Sequence, residues 1–163
     1  MGGKDVEKQQ FQIRVKNRLN ELETIRRVVE QMPETVCFSK RKRCEIHLIL
    51  EELFTNIVNH GFTDEKEHEI HIELRCNHAA MTIRMEDDGP PFNPTESCSP
   101  DTGCALEERL VGGLGIHFVK HFIDTCTYER KNGKNIMVLE KRVGDSDRSR
   151  GPIRDKKNNN PKG

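Results

Sequence analysis

Polar and apolar residues alternate over residues 9–16 (QQFQIRVK), which puts Phe11, Ile13 and Val15 on one face of a half-buried strand. The period then lengthens. Leu19, Leu22, Ile25, Val29 and Met32 recur at helical spacing, with Asn17 as the expected cap and Pro33 as the stop. A longer helix is predicted from the capping residue Ser39 to a C-terminal cap at Gly61, with Ile46, Ile49, Leu50, Leu53 and Ile57 as its apolar stripe. Alternation returns at 69–76 through Ile70, Ile72 and Leu74, and at 81–86 through Met81, Ile83 and Met85. The tight turn Asn77-His78 between them predicts a hairpin.

From Asp87 to Gly113 the periodicity is lost in a Pro-, Gly- and Ser-rich stretch. A loop of about 25 residues inside a compact domain is usually functional or disordered. A short helix is expected near Ala105–Leu110, a longer one over Leu114–Ile123, and a last hairpin from Thr125–Glu129 and Asn135–Val143 around Asn132-Gly133. The order β-α-α-β-β-loop-α-β-β predicts an α/β (α+β) two-layer sandwich, with helices on one face of a mixed, mostly antiparallel sheet. One domain over 9–143 is expected, between a disordered start (1–8) and a disordered basic tail (144–163).

Charge narrows the partner classes. The chain has 27 basic and 27 acidic residues, but the tail alone holds Arg148, Arg150, Arg154, Lys156, Lys157 and Lys162 against three aspartates. The body is therefore mildly acidic and presents no basic footprint for nucleic acid. No apolar run approaches the roughly 18 residues of a membrane span, and the start MGGKDVEKQQ has no apolar core, so neither membrane nor signal peptide is expected. Cysteines 37, 44, 76, 98, 104 and 126 form neither a CxxC pair nor a zinc spacing. Free thiols in a reducing cytoplasm are the expectation.

Three stretches carry candidate chemistry. In EELFTNIVNH (51–60), Glu52, Asn56 and Asn59 fall at i, i+4 and i+7 on one helix stripe beside the apolar one. A carboxylate there can accept a proton, and an amide one turn on is a neutral oxygen ligand for Mg²⁺. At the end of a strand, Asp87-Asp88-Gly89-Pro90-Pro91-Phe92 sets a carboxylate two residues before a glycine that lets a ligand approach the backbone. Gly112-Gly113-Leu114-Gly115 opens a helix, whose free N–H groups and positive dipole end suit an anion. No GxxxxGK[ST] or GxGxxG is present, which rules out a P-loop and argues against a dinucleotide fold. His117 and His121 stand at metal-ligand spacing, but no third ligand accompanies them.

Taken together and in this order, EELFTNIVNHG, DDGPPFNP and GGLGIHFVKH resemble the N-box and the two glycine boxes of the histidine-kinase-like ATPase superfamily. Within it they resemble the anti-sigma-factor serine/threonine kinases of bacterial partner switching, over about residues 9–143. The resemblance implies that fold, ATP and Mg²⁺ as cofactors, and an anti-sigma-factor antagonist as protein substrate. A sigma factor and a second copy of the chain are the further candidate partners. It implies Glu52 as general base, Asn56 as Mg²⁺ ligand, and Asp87 as acceptor for the adenine amine, with Gly89 beside the base. Gly113 and Gly115 would offer N–H groups to the phosphates, with Gly112 and Leu114 beside them in the cofactor site, under a lid over 93–111. Asn59, His60, Pro91 and Phe92 match the boxes with less definite roles. The chain departs from the pattern at Pro91, which replaces a glycine, and in a lid without an evident lysine, where Arg109 is the substitute. Two alternatives to a kinase remain open. One is an ATP-binding anti-sigma or regulatory module without turnover, the other an orphan histidine-kinase catalytic domain.

Overall fold

The computed structural model describes residues 9–34, 37–77, 80–94 and 119–142. Its elements are β1 (Gln9–Lys16), α1 (Leu22–Glu30), α2 (Lys40–His60), β2 (Glu69–Cys76), β3 (Ala80–Asp87), β4 (Thr125–Lys131) and β5 (Lys134–Arg142), with a short 3-10 turn at Leu19–Glu21 before α1. The strands form one sheet in the order β1-β2-β3-β5-β4. Every pairing among the described strands is antiparallel, in keeping with the expected mostly antiparallel sheet. The β1–α1–α2–β2 excursion explains it: two helices, rather than one crossover, return the chain beside β1 in the opposite sense.

Register follows from the alternation. Phe11, Leu74, Ile83 and Leu139 lie in one cross-strand row, and Ile13, Ile72, Met85 and Met137 in the next. These rows face α1 and α2, which bury Ile25, Val29, Ile46, Ile49, Leu50, Leu53, Phe54 and Ile57 against them. Each such side chain stabilises the fold by about 1.5–3 kcal/mol on burial. The other face of the sheet carries charge pairs such as Lys134–Glu86 (2.5 Å) and a hydrogen bond from Gln10 to Glu73 (3.0 Å). Exposed pairs of this kind are worth about 0–1 kcal/mol each, so the helix-covered face decides stability.

Local signals set the element ends. Ser39 caps α2, its Oγ accepting from the Lys42 N–H at 3.4 Å, and Gly61 closes the helix with its N–H on the Ile57 carbonyl at 2.8 Å. Asn132 and Gly133 take positive φ (52° and 77°), the backbone that a two-residue turn between β4 and β5 requires. Asn17, expected as a cap, does something else. Its Oδ1 accepts from the His68 N–H at 2.9 Å and its Nδ2 donates to the Lys66 carbonyl at 3.1 Å, pinning the end of β1 to the segment before β2. Asparagine bonds backbone groups wherever the chain offers them, so a cap signal alone does not say which backbone.

The cysteines need a correction. Cys37 and Cys76 form a disulfide, with Cα atoms 6.1 Å apart, joining the segment before α2 to the end of β2. Only the folded chain brings together two residues 39 apart in sequence, and no motif announces it. Cys44 and Cys126 are free and exposed. The segment 95–118, with its expected short helix, most of the lid, Cys98, Cys104 and His117, lies outside the described residues, as do the start and the tail. No helix among the described residues is long and apolar enough to cross a membrane.

Candidate functional site

The wall of the site is α2. Its apolar stripe fixes the rotation of the helix, so the neighbouring Glu52–Asn56 stripe falls at the margin of the core. Asn56 is buried (7% exposed) and Glu52 half-buried, and Nδ2 of Asn56 donates to Oε1 of Glu52 at 3.2 Å. The amide is thereby oriented with its oxygen directed away from the carboxylate. Asn59 and His60, at the last turn, are exposed; the His60 ring lies 6.5 Å from that of Phe92.

The floor is the end of β3. Asp87 continues the inward row Met81, Ile83 and Met85, so strand alternation puts a carboxylate on the apolar face, 5% exposed. Its Oδ1 accepts from the Gly89 N–H at 2.9 Å and from Nδ2 of Asn135 at 2.8 Å. Desolvation pushes the Asp87 carboxyl above the ordinary carboxylate range, against the Asn135 and Gly89 hydrogen bonds; the neighbouring Asp88 adds to the rise and Arg130 opposes it.

Asn135 is the residue the sequence reading missed. It is the register partner of Asp87 and is itself 3% exposed. Its Nδ2 also reaches the Pro90 carbonyl at 2.8 Å, while its Oδ1 accepts from Tyr128 Oη and from Arg130, each at 2.8 Å. Arg130 further donates to the Gly89 carbonyl at 2.6 Å. The signal was present: Asn135 stands in phase with Met137 and Leu139, a polar residue in a core-facing row.

These contacts fold the turn after β3 back onto the end of α2. A Cβ on Gly89 would stand 2.6 Å from the Gly61 carbonyl oxygen and 3.1 Å from the Phe62 ring, so only glycine allows this approach. Pro91 is exposed and Phe92 half-buried against the core. The structure thus brings the turn that carries Asp87, Gly89 and Phe92 against the C-terminal end of α2, the helix that carries Glu52, Asn56 and His60. Arg109, Gly112, Gly113, Leu114 and Gly115 lie outside the described residues.

The histidine kinase-like ATPase domain matches residues 15–141, and the chain belongs to that family. A domain of this family uses ATP. The chain is also similar to the serine/threonine-protein kinase BtrW of Bordetella bronchiseptica, 31% identical over 102 residues, which is 63% of this chain and 72% of that protein. Both findings bear out the resemblance carried by the three boxes.

Proposed function

We propose that the chain is an ATP-dependent protein serine/threonine kinase that phosphorylates an anti-sigma-factor antagonist and so acts as an anti-sigma factor. The observation that carries this reading is the Glu52–Asn56 pair, a half-buried carboxylate held by an amide one turn away. The kinase relative supports it on the side of the comparisons.

The residues present fit the nucleotide and the metal. Oδ1 of Asp87 is saturated by Asn135 and Gly89, which leaves Oδ2 to accept the exocyclic amine of adenine. Guanine offers no donor at that edge and would leave the acceptor unpaired, the kind of mismatch that sites reject strongly. Mg²⁺ would be held by Asn56 together with phosphate oxygens and water. When bound, Mg²⁺ neutralises phosphate charge. Gly113 and Gly115 would offer N–H groups to the phosphates, and Arg109 would take the place of a lid lysine.

Glu52 accepts the proton of the target serine or threonine hydroxyl as that oxygen bonds to the γ-phosphorus. The bond from phosphorus to the β–γ bridging oxygen breaks, and ADP leaves. The Asn56 bond occupies Oε1 and fixes the carboxylate for this transfer. Incubation with Mg·ATP and candidate antagonists, read by intact mass, should show one added phosphoryl that is stable to acid. An acid-labile phosphoryl would point to a histidine kinase instead. ATP binding without any transfer, accompanied by capture of a sigma factor, would replace the kinase by a binding module.

A further inference from the structure

His68, just before β2, is tied to three parts of the molecule. Its N–H donates to Asn17 at the end of β1 (2.9 Å), and its ring stacks on Phe62 with centroids 4.5 Å apart and planes 20° from parallel. Nε2 lies 2.8 Å from Oδ1 of Asp64, and Nδ1 lies 2.8 Å from Oδ1 of Asp88. Asp88 is the residue between Asp87 and Gly89. Arg130 and Asn135 hold this turn from the β4–β5 side through the carbonyls of Gly89 and Pro90. His68 holds it from the other side, where Gly89 already packs against Gly61 and Phe62.

We propose that His68 is a positioning residue of the adenine site: as an imidazolium it clasps Asp88, fixes the Asp88–Gly89 turn that orients Asp87, and makes adenine-nucleotide affinity depend on pH. This rests on the nucleotide site proposed above. An imidazole with a carboxylate oxygen at each nitrogen satisfies both only when both nitrogens carry a proton, which is the cation. The Asp64 hydrogen bond raises the His68 pKa most, burial opposes it, and Asp88 raises it further.

Glu67 of the same segment is engaged by Lys16 (3.1 Å) and Arg18 (2.6 Å) from the end of β1. Lys66 bonds Asp64 through its backbone N–H (3.3 Å), and Glu69 is paired with His71. Asp87 lies beyond Asp88. A histidine pKa raised in the folded state contributes fully below the ordinary histidine value and loses that contribution as pH rises through the raised one. Above it, one carboxylate faces an imidazole lone pair and the clasp opens.

The test is ADP affinity by calorimetry, with Mg²⁺ present, at points between about pH 6 and 8.5, a range that brackets histidine titration. The wild-type chain should lose affinity by roughly two- to fivefold more than His68→Gln over that range, the worth of a partly exposed charge pair. At the low end His68→Gln should bind more weakly, by the same factor. Parallel profiles for the two proteins would overturn the proposal. A second measurement needs no nucleotide: the His68 ring signal, followed by NMR, should titrate above the ordinary histidine value and shift down in Asp88→Asn. Titration at the ordinary value in both proteins would also overturn it. A wild-type chain that binds no ADP at any pH would sink the nucleotide reading, and with it the affinity part of this proposal, while the NMR result still decides whether the clasp exists.

Discussion

Asn135 and Asp87 face each other across the β3–β5 register, and Nδ2 of the amide donates to Oδ1 of the carboxylate at 2.8 Å with both residues buried. One side chain thus holds the acceptor, the Pro90 carbonyl and, through Arg130, the Gly89 carbonyl. A single strand position sets the geometry of the whole turn.

Asn135→Ala should therefore cost more than a surface change. It removes a buried donor and leaves Oδ1 of Asp87 short of a partner, a loss of about 1–3 kcal/mol. Urea unfolding should show it as a lower midpoint with an unchanged slope. ADP affinity should fall in the same variant. A midpoint equal to wild type would mean that the turn holds itself without β5.

Asp87→Asn should separate stability from recognition. Burial raises the Asp87 pKa above 3.8, so its contribution to stability is present below that value and lost as pH rises through the folded one. Above the folded value the carboxylate is a buried charge that opposes folding. The amide oxygen can still accept from Gly89 and Asn135, so the variant should unfold at higher urea than wild type near neutrality and at a similar urea concentration in mild acid. ADP binding should weaken roughly 10- to 100-fold, the worth of a hydrogen bond to a charged acceptor. Unfolding midpoints across pH, with calorimetry beside them, check both halves.

Much of this was legible in the pattern of the chain, for physical reasons. Period-2 alternation fixed which face Asp87 would occupy, and the Ile46–Ile57 stripe fixed which side of α2 would present Glu52 and Asn56. The same alternation marked Asn135, but a polar residue in a core-facing row says only that it must find a partner, and the partner depends on register. Asn17 shows the limit from the other side: its local signal pointed to a helix cap, yet its partner lies 51 residues away, at His68. The Cys37–Cys76 bond is invisible in sequence because nothing short of the tertiary fold aligns the end of β2 with the start of α2.

That disulfide gives a third prediction. Closing a loop across 39 residues lowers the entropy of the unfolded chain by an amount equivalent to about 4 kcal/mol at 25 °C. Cys76→Ala, or the wild-type chain under reductant, should unfold at lower urea by up to about that amount. Both sulfurs are buried, so the reduced thiols would remain packed and the secondary structure should persist in circular dichroism. Unfolding midpoints that do not respond to reductant in the wild-type chain would show that the bond contributes nothing.

Glu52→Gln tests the general base of the proposed kinase. Glutamine keeps the shape of the side chain and can still accept from Nδ2 of Asn56, so α2 and its apolar stripe should be undisturbed. What is lost is the capacity to take a proton, and a positioned base is worth roughly 10²–10⁴ in rate. Phosphotransfer to the antagonist should fall by that factor while ADP affinity stays close to wild type, because Asp87 and the turn at Gly89 lie on other elements. Asn56→Ala should behave in the opposite sense. It removes the oxygen proposed to hold Mg²⁺, so Mg·ATP affinity should drop, and saturating Mg·ATP should restore part of the rate. A Glu52→Gln chain that transfers phosphate at the wild-type rate would remove the carboxylate from the chemistry, leaving Asn56 and Asp87 as parts of a nucleotide-binding site alone.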